Sequence, residues 1–367
     1  MTPTTRPDTA RPDTARPESD CPDTPHPEST RPHTAHPRTG TGSAPSHHGE
    51  LLQGVFLDAA GRRCAGLVTL PLPGPGSGAV FVPRPGTPPE AVAVVPAGRV
   101  KAAGAAVLAV AECARRTGRP ACGGEVRLSG DVPVGLGMGS STSDVIATLR
   151  AVADAYGLRL DPGTTARLAV RAETASDPLM LDGRPVLFAQ REGRVLETLG
   201  PALPPLTVVG CALGGSAPVD TLSLPDPGDA DDTDVRAGER LRALLRRAVA
   251  TGDVRLLGAV ATASARRGQR ALGHPEFDAL TGIARRTGAA GVQIAHSGAV
   301  AGVLFDPAAP DLRRRVDACL RALDAHGIPA TRTFTTSKEP PHGPARRGVD
   351  RPAGPHTARR PARLSAL

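Results

Sequence analysis

Between Asp131 and Asp144 the chain reads Asp-Val-Pro-Val-Gly-Leu-Gly-Met-Gly-Ser-Ser-Thr-Ser-Asp. This run passes straight into residues 145–156, where Val145, Ile146, Leu149, Val152, Ala153 and Tyr156 recur at helical spacing, so the loop opens a helix. Ser140, Ser141 and Thr142 fall where unpaired helical N–H groups and the positive end of the dipole converge. Gly135, Gly137 and Gly139 let a ligand come close to the backbone. An anion suits that geometry, and phosphate is its usual occupant.

Composition limits how much chain can fold around this element. Residues 1–40 repeat Thr-Ala-Arg-Pro-Asp with almost no Leu, Ile, Val or Phe. Such a segment buries too little apolar surface to offset its ordering entropy, and disorder is expected. Residues 336–367 are again Pro-rich, and basic. Of the net charge of +8, this last stretch supplies +5 and residues 1–40 supply −1, which leaves a modest +4 on the body. With 2% aromatic residues and no Trp there are few platforms for stacking bases, so nucleic-acid binding by the body is not expected. The six cysteines show no Cys-x-x-Cys spacing, which argues against zinc or a disulfide framework. No apolar run follows Met1 and no 18-residue apolar stretch occurs, so a cytoplasmic protein without membrane contact is expected.

In chain order, residues 42–54 read as a loop feeding a hairpin of 55–57 and 65–70, 73–78 as a turn, and 79–82 as a strand. The Ala-rich stretch 100–116 predicts a helix buried all round, and 125–129 the strand that delivers the chain to the Gly-rich loop. Further helices are expected over 145–156, 161–173, 236–250, 254–267, 275–287 and 311–326. The remaining strands are expected over 184–190, 194–199, 206–211, 291–296, 300–305 and 328–334, with a loop at 176–183. The organisation expected is a tail 1–40, a first domain 41–213, an acidic Gly/Pro linker 214–235, a second domain 236–335 and a basic tail 336–367.

Pro133-Val-Gly-Leu-Gly-Met-Gly-Ser-Ser-Thr142, preceded by Gly49-Glu-Leu-Leu-Gln-Gly54 and followed by Ala295-His-Ser-Gly-Ala-Val-Ala-Gly302, resembles the three ordered blocks of the GHMP small-molecule kinases. Within that family the blocks are most similar to the L-threonine kinase branch associated with cobalamin side-chain synthesis and propanediol utilisation. The likeness covers about residues 42–335, and the loop lacks the lysine and spacing of a P-loop. It implies an α+β fold of two domains, a ribosomal protein S5 domain 2-like N-terminal domain and a ferredoxin-like C-terminal α+β sandwich. It also implies ATP and Mg²⁺ as cofactors and a small hydroxyl-bearing amino acid as substrate.

The resemblance assigns roles residue by residue. Pro133, Gly135, Gly137, Met138, Gly139, Ser140, Ser141 and Thr142 would hold the nucleotide phosphates, with Ser141 on Mg²⁺ and Ser140 able to share that role. In Glu173-Thr-Ala-Ser-Asp177 the branch's Glu-Pro-Ser-Asp carries one extra residue. Asp177 stands as base or metal partner and Glu173 as metal ligand, with helix-end capping the competing reading of both. Glu50 and Gln53 would hold a substrate amino group or hydroxyl, or else close a strand end. His296 and Ser297 would touch substrate and Gly298 would permit close backbone approach, a plain hairpin turn being the alternative. His47 and His48 read as incidental, since no third metal ligand is apparent.

The reading that follows is an ATP-dependent kinase for a small amino acid, most like L-threonine, with L-serine or L-homoserine as alternatives. A GHMP-fold ligand sensor without turnover, or a decarboxylase of a phosphorylated acid, are the competing classes. Oligomeric state, a homodimer included, is open.

Overall fold

The computed structural model describes residues 36–130, 137–214, 228, 230–296 and 299–336. Most of both expected tails and of the expected linker lies outside those residues. At the edges the described residues reach beyond the expected bounds. Arg38 donates its N–H to the Ala155 carbonyl at 3.1 Å, and Thr336 donates to Leu206 at 2.8 Å.

Two long strands organise the molecule, β1 (Gly40–Leu57) and β2 (Arg63–Pro83), paired antiparallel from Gly40 opposite Phe81 to Leu57 opposite Arg63. They overturn two expectations, because residues 42–54 and 73–78 are strand and not loop or turn. The Gly, Pro and His residues that suggested breaks sit at irregularities inside the ladder. Register shifts occur between Ala44 and Ser46, His47 and Glu50, and Glu50 and Leu52. Bulges of this kind bend a strand without ending it.

β3 (Val92–Val95), unanticipated, pairs parallel with β4 (Gly124–Ser129), and β4 pairs antiparallel with β2. The hairpin of β5 (Val186–Ala189) and β6 (Arg194–Thr198) joins β2 through Gly66 and Leu67. The other strands are β7 (Thr207–Ala212), β8 (Gly291–Ile294), β9 (Val300–Phe305) and β10 (Ala330–Thr335). One sheet runs in the order β10-β7-β9-β8-β1-β2-β4-β3. β7, grouped with the first half on sequence, lies between β9 and β10. The two halves meet where Glu50 of β1 pairs with Ile294 of β8.

α1 (Val100–Thr117), α2 (Ser140–Ala155) and α3 (Pro162–Glu173) build one core with the outer parts of β1, β2 and β4. α1 is buried along one face only, through Ala102, Ala105, Ala106, Ala109, Val110 and Cys113, and not all round as expected. α2 is buried on nearly every side because it lies between β1, β2 and α1. The starting signals hold for α3: Pro162 occupies its first turn and Asp161 accepts the Thr164 N–H at 2.8 Å.

α4 (Asp232–Thr251), α5 (Val254–Leu272), α6 (Phe277–Arg286) and α7 (Leu312–Ala325) cover the second half. In β9 Val300 and Leu304 enter a core with α4 and α5, while Ala301, Val303 and Phe305 enter another with α6 and α7. That strand is therefore apolar throughout, as a strand covered on both faces must be. α5 crosses β8 at two glycines: a Cβ on Gly291 would lie 2.5 Å from the Gly258 carbonyl carbon.

Candidate active site

Three parts of the chain converge at the start of α2. Gly137 (φ 80°) and Gly139 (φ 67°) hold the left-handed backbone that leads into the helix. The N–H of Ser143 donates to the Gly139 carbonyl at 2.8 Å, so the N–H groups of Ser140, Ser141 and Thr142 precede the first helical bond. Met138, Ser140 and Thr142 are buried, whereas Ser141 is half-buried. Pro133 and Gly135, expected to complete the loop, lie outside the described residues.

The last turn of α3 brings Glu173 against this helix start. Thr142 Oγ1 donates to Glu173 Oε1 at 2.9 Å, and Ser141 Oγ stands 3.4 Å from Oε2. Burial, then the nearby Asp177 carboxylate, raises the Glu173 acid to about 7. A carboxyl poised at that value gives up its proton readily to an arriving cation. Hydroxyl and carboxyl oxygens at a helix N-terminus are also the donor set that Mg²⁺ prefers. The residues expected on Mg²⁺ therefore fit the ion, and the free helical N–H groups fit a polyphosphate.

Across the Gly-rich loop lies a buried polar cluster that sequence reasoning missed in part. His47 Nε2 stands 3.0 Å from Asp177 Oδ2, and its Nδ1 3.7 Å from Glu50 Oε1. His296 donates its backbone N–H to Glu50 Oε2 at 2.7 Å and places Nδ1 3.2 Å from Oε1, off the line of a hydrogen bond. A Cβ on Gly139 would overlap the His47 ring, reaching 2.5 Å from Nε2, and would lie 3.5 Å from Asp177 Oδ2. Only glycine lets the loop pass this close.

These neighbours set the charges. Burial works against an ionised Asp177, but His47, through its charge and hydrogen bond, pulls the acid down to about 2. Burial likewise opposes charge on His47 and His296. Asp177 with Glu50 raises the first, and Glu50 raises the second to about 9. His48 differs: burial drives it down to about 4, and it packs neutral beside Gln293, 2.8 Å away, with its ring 5.2 Å from that of Phe334.

Of the expected site residues, Asp177, Glu173, Glu50, His296 and the described part of the loop come together. Gln53 does not: its N–H donates to Ser264 Oγ at 2.9 Å, and its side chain lies against Gly268 of α5. Glu50 is present in another capacity, since its carboxylate has no exposure and is turned onto His296 and His47, not outward to an amino group. Ser297 and Gly298 lie outside the described residues. His47, read as incidental, is central. Its signal in sequence is slight, one of two adjacent histidines in a strand that also carries Ser46, Glu50 and Gln53, because its partner Asp177 is 130 positions away.

Comparison with known proteins places the two halves of the chain among known domains. The family model for the GHMP kinases N terminal domain matches residues 103–180, and that for the GHMP kinases C terminal domain matches 242–327. An L-threonine kinase of Citrobacter freundii is 29% identical over 188 residues, 48% of this chain and 60% of the relative. The chain thus matches about three fifths of that relative's length. A homoserine kinase structure from Cytophaga hutchinsonii aligns with a TM-score of 0.59 at 16% identity, covering 86% of this chain and 98% of the other. Phosphomevalonate kinase from Streptococcus pneumoniae, solved with phosphomevalonate and AMPPNP, aligns with a TM-score of 0.60 at 11% identity, covering 81% and 99%. The chain thus carries the N- and C-terminal GHMP kinase domains in order, on a fold shared with these structures across nearly their full length.

Proposed function

We propose that this chain is an ATP- and Mg²⁺-dependent kinase that phosphorylates the side-chain hydroxyl of a small amino acid, L-threonine before L-serine or L-homoserine. The observation that carries this reading is the division of labour on either side of Gly139. On one side, helical N–H groups, Ser141, Thr142 and Glu173 present the donors and oxygens that a metal–polyphosphate needs. On the other stands Asp177, kept ionised by His47 3.0 Å away. L-Threonine leads because sequence relatives at modest identity carry the name L-threonine kinase.

Phosphoryl transfer demands positioning and charge stabilisation more than covalent help from the protein. When bound, Mg²⁺ neutralises polyphosphate charge, and Ser141 and Glu173 would hold it. Glu173 must release its proton to do so. Asp177, at about 2, is a weak base. Its part is to accept a hydrogen bond from the substrate hydroxyl, aim the oxygen, and take its proton late, as the new P–O bond forms and the bond to ADP breaks. His296, cationic at neutral pH and at the edge of the cluster, suits the substrate's carboxylate. Glu50 supports both histidines from below.

The test is ADP release from Mg²⁺-ATP with L-threonine, L-serine, L-homoserine and mevalonate, in wild type, Asp177→Asn and Ser141→Ala. L-Threonine should give the largest kcat/KM, Asp177→Asn should lower kcat by at least about a hundredfold, and Ser141→Ala should raise the Mg²⁺ requirement. No ADP with any of the alcohols would refute the kinase reading, and turnover only with another alcohol would refute the substrate.

A further inference from the structure

The geometry points to a second cation site, separate from the Ser141/Glu173 oxygens, in which His47, Glu50 and Asp177 bind one borderline divalent ion of the zinc class. One ligand atom from each residue lies within 4.8 Å of the other two, and all three residues are buried. Tetrahedral zinc with bonds of about 2.0–2.2 Å separates its ligand atoms by about 3.4 Å. The 3.0 Å pair of His47 and Asp177 would open by a few tenths of an ångström, and Glu50 would close on it.

Two further observations, independent of this clustering, indicate a ligand. Glu50 Oε1 has no exposure and no aligned hydrogen bond, although it points toward His47 and His296. His296 Nδ1, 3.2 Å away, supplies positive charge there without an aligned hydrogen bond, so a lone pair of this buried oxygen stays open to a metal ion. The far atoms of two ligands are also already anchored. His47 Nδ1 is held at Gly49, accepting its N–H at 3.1 Å with the carbonyl 3.3 Å away, and Glu50 Oε2 receives the His296 N–H at 2.7 Å.

One imidazole and two carboxylates select for Zn²⁺, Co²⁺ or Mn²⁺ over Mg²⁺, which favours an all-oxygen octahedron and keeps its water. Because the ion takes Asp177 as a ligand, cation and substrate hydroxyl exclude each other. Occupancy of this site switches turnover off. That last consequence rests on the kinase reading; binding does not.

The experiment uses the full chain, stripped with chelator, dialysed and titrated with Zn²⁺ by calorimetry and with Co²⁺ by visible absorption, in the absence of nucleotide. One saturable equivalent and intense tetrahedral Co²⁺ bands are expected. His47→Gln, Glu50→Gln and Asp177→Asn should each weaken Zn²⁺ at least about tenfold, while Ser141→Ala leaves it unchanged. Circular dichroism checks that each variant is folded, and the Co²⁺ spectrum of the native protein tests the ligand set even where one is not. Featureless Co²⁺ spectra, no saturable Zn²⁺ equivalent, or loss of binding in Ser141→Ala with retention in His47→Gln would overturn the site. With Mg²⁺-ATP and L-threonine saturating, Zn²⁺ should suppress ADP release and a zinc-selective chelator restore it. Zinc binding without inhibition would overturn the exclusion. Zinc binding with no ADP under any condition would instead refute the kinase reading and leave the site standing.

Discussion

Gly139→Ala is the most discriminating single substitution, because two independent penalties meet at one Cβ. The residue sits at φ 67°, a left-handed conformation that costs an alanine about 1–2 kcal/mol. The new carbon would stand 2.5 Å from His47 Nε2, so the ring must retreat by about 1 Å to restore ordinary contact. Retreat breaks the 3.0 Å bond to Asp177, a charge-assisted bond worth about 1.5–3 kcal/mol. Together the loss should be about 3–4 kcal/mol, read as a fall in the urea midpoint with unchanged slope. In His47→Ala the obstruction is gone, so adding Gly139→Ala should then cost only the backbone share. The double-mutant cycle should give a coupling of about 2 kcal/mol. A loss below about 1 kcal/mol, or additivity within about 0.5 kcal/mol, would refute the reasoning.

Glu173 gives a pH test. Its folded acid at about 7 lies above the ordinary 4.5, so the folded chain holds a proton that the unfolded chain releases. That contribution is fully present below 4.5 and is lost as pH rises through 7, by about 3 kcal/mol in metal-free buffer. The stability difference between wild type and Glu173→Gln should therefore shift against the wild type across that window. A flat difference contradicts it. Gly291→Ala should destabilise by about 2–3 kcal/mol, since backbone meets backbone where α5 crosses β8. Differential scanning calorimetry should show it, with normal ATP affinity in the surviving folded fraction. Asp161→Ala removes the cap of α3 and should cost about 1 kcal/mol without altering ADP release; a kinetic defect would mean that α3 transmits strain to Glu173.

The helices were legible because their signals are local. Asp161-Pro162 starts α3, and the spacing of Val145 to Tyr156 marks α2. The Gly-rich loop was legible for the same reason, since loop and helix are adjacent in sequence. The long strands were not, because β1 and β2 carry glycine, proline and histidine at bulges that a short-range reading takes for turns. Only the ladder across from each irregular residue shows that the strand continues. The site divides the same way. Ser141, Thr142 and Glu173 follow from a motif, whereas the role of His47 depends on Asp177 at 130 positions and on a bulge that directs it and Glu50 into one cluster. Gln53, three residues beyond Glu50, is turned to α5 where it contacts Gly268, a placement that sequence spacing does not reveal.

The pairing of Glu50 with Ile294 spans 244 positions and joins the halves of a continuous sheet. Contacts of such separation carry a large loop-closure cost and form late. The long hairpin of β1 and β2, and α2 beside it, can assemble before that junction closes, but the cluster of His47, Glu50, Asp177 and His296 cannot. During refolding, competence at this cluster should therefore appear only with the complete molecule, after most helical signal has returned. Ligand capture then serves as a reporter of finished assembly, and a chain stalled with its halves unjoined would look folded by circular dichroism yet bind nothing there.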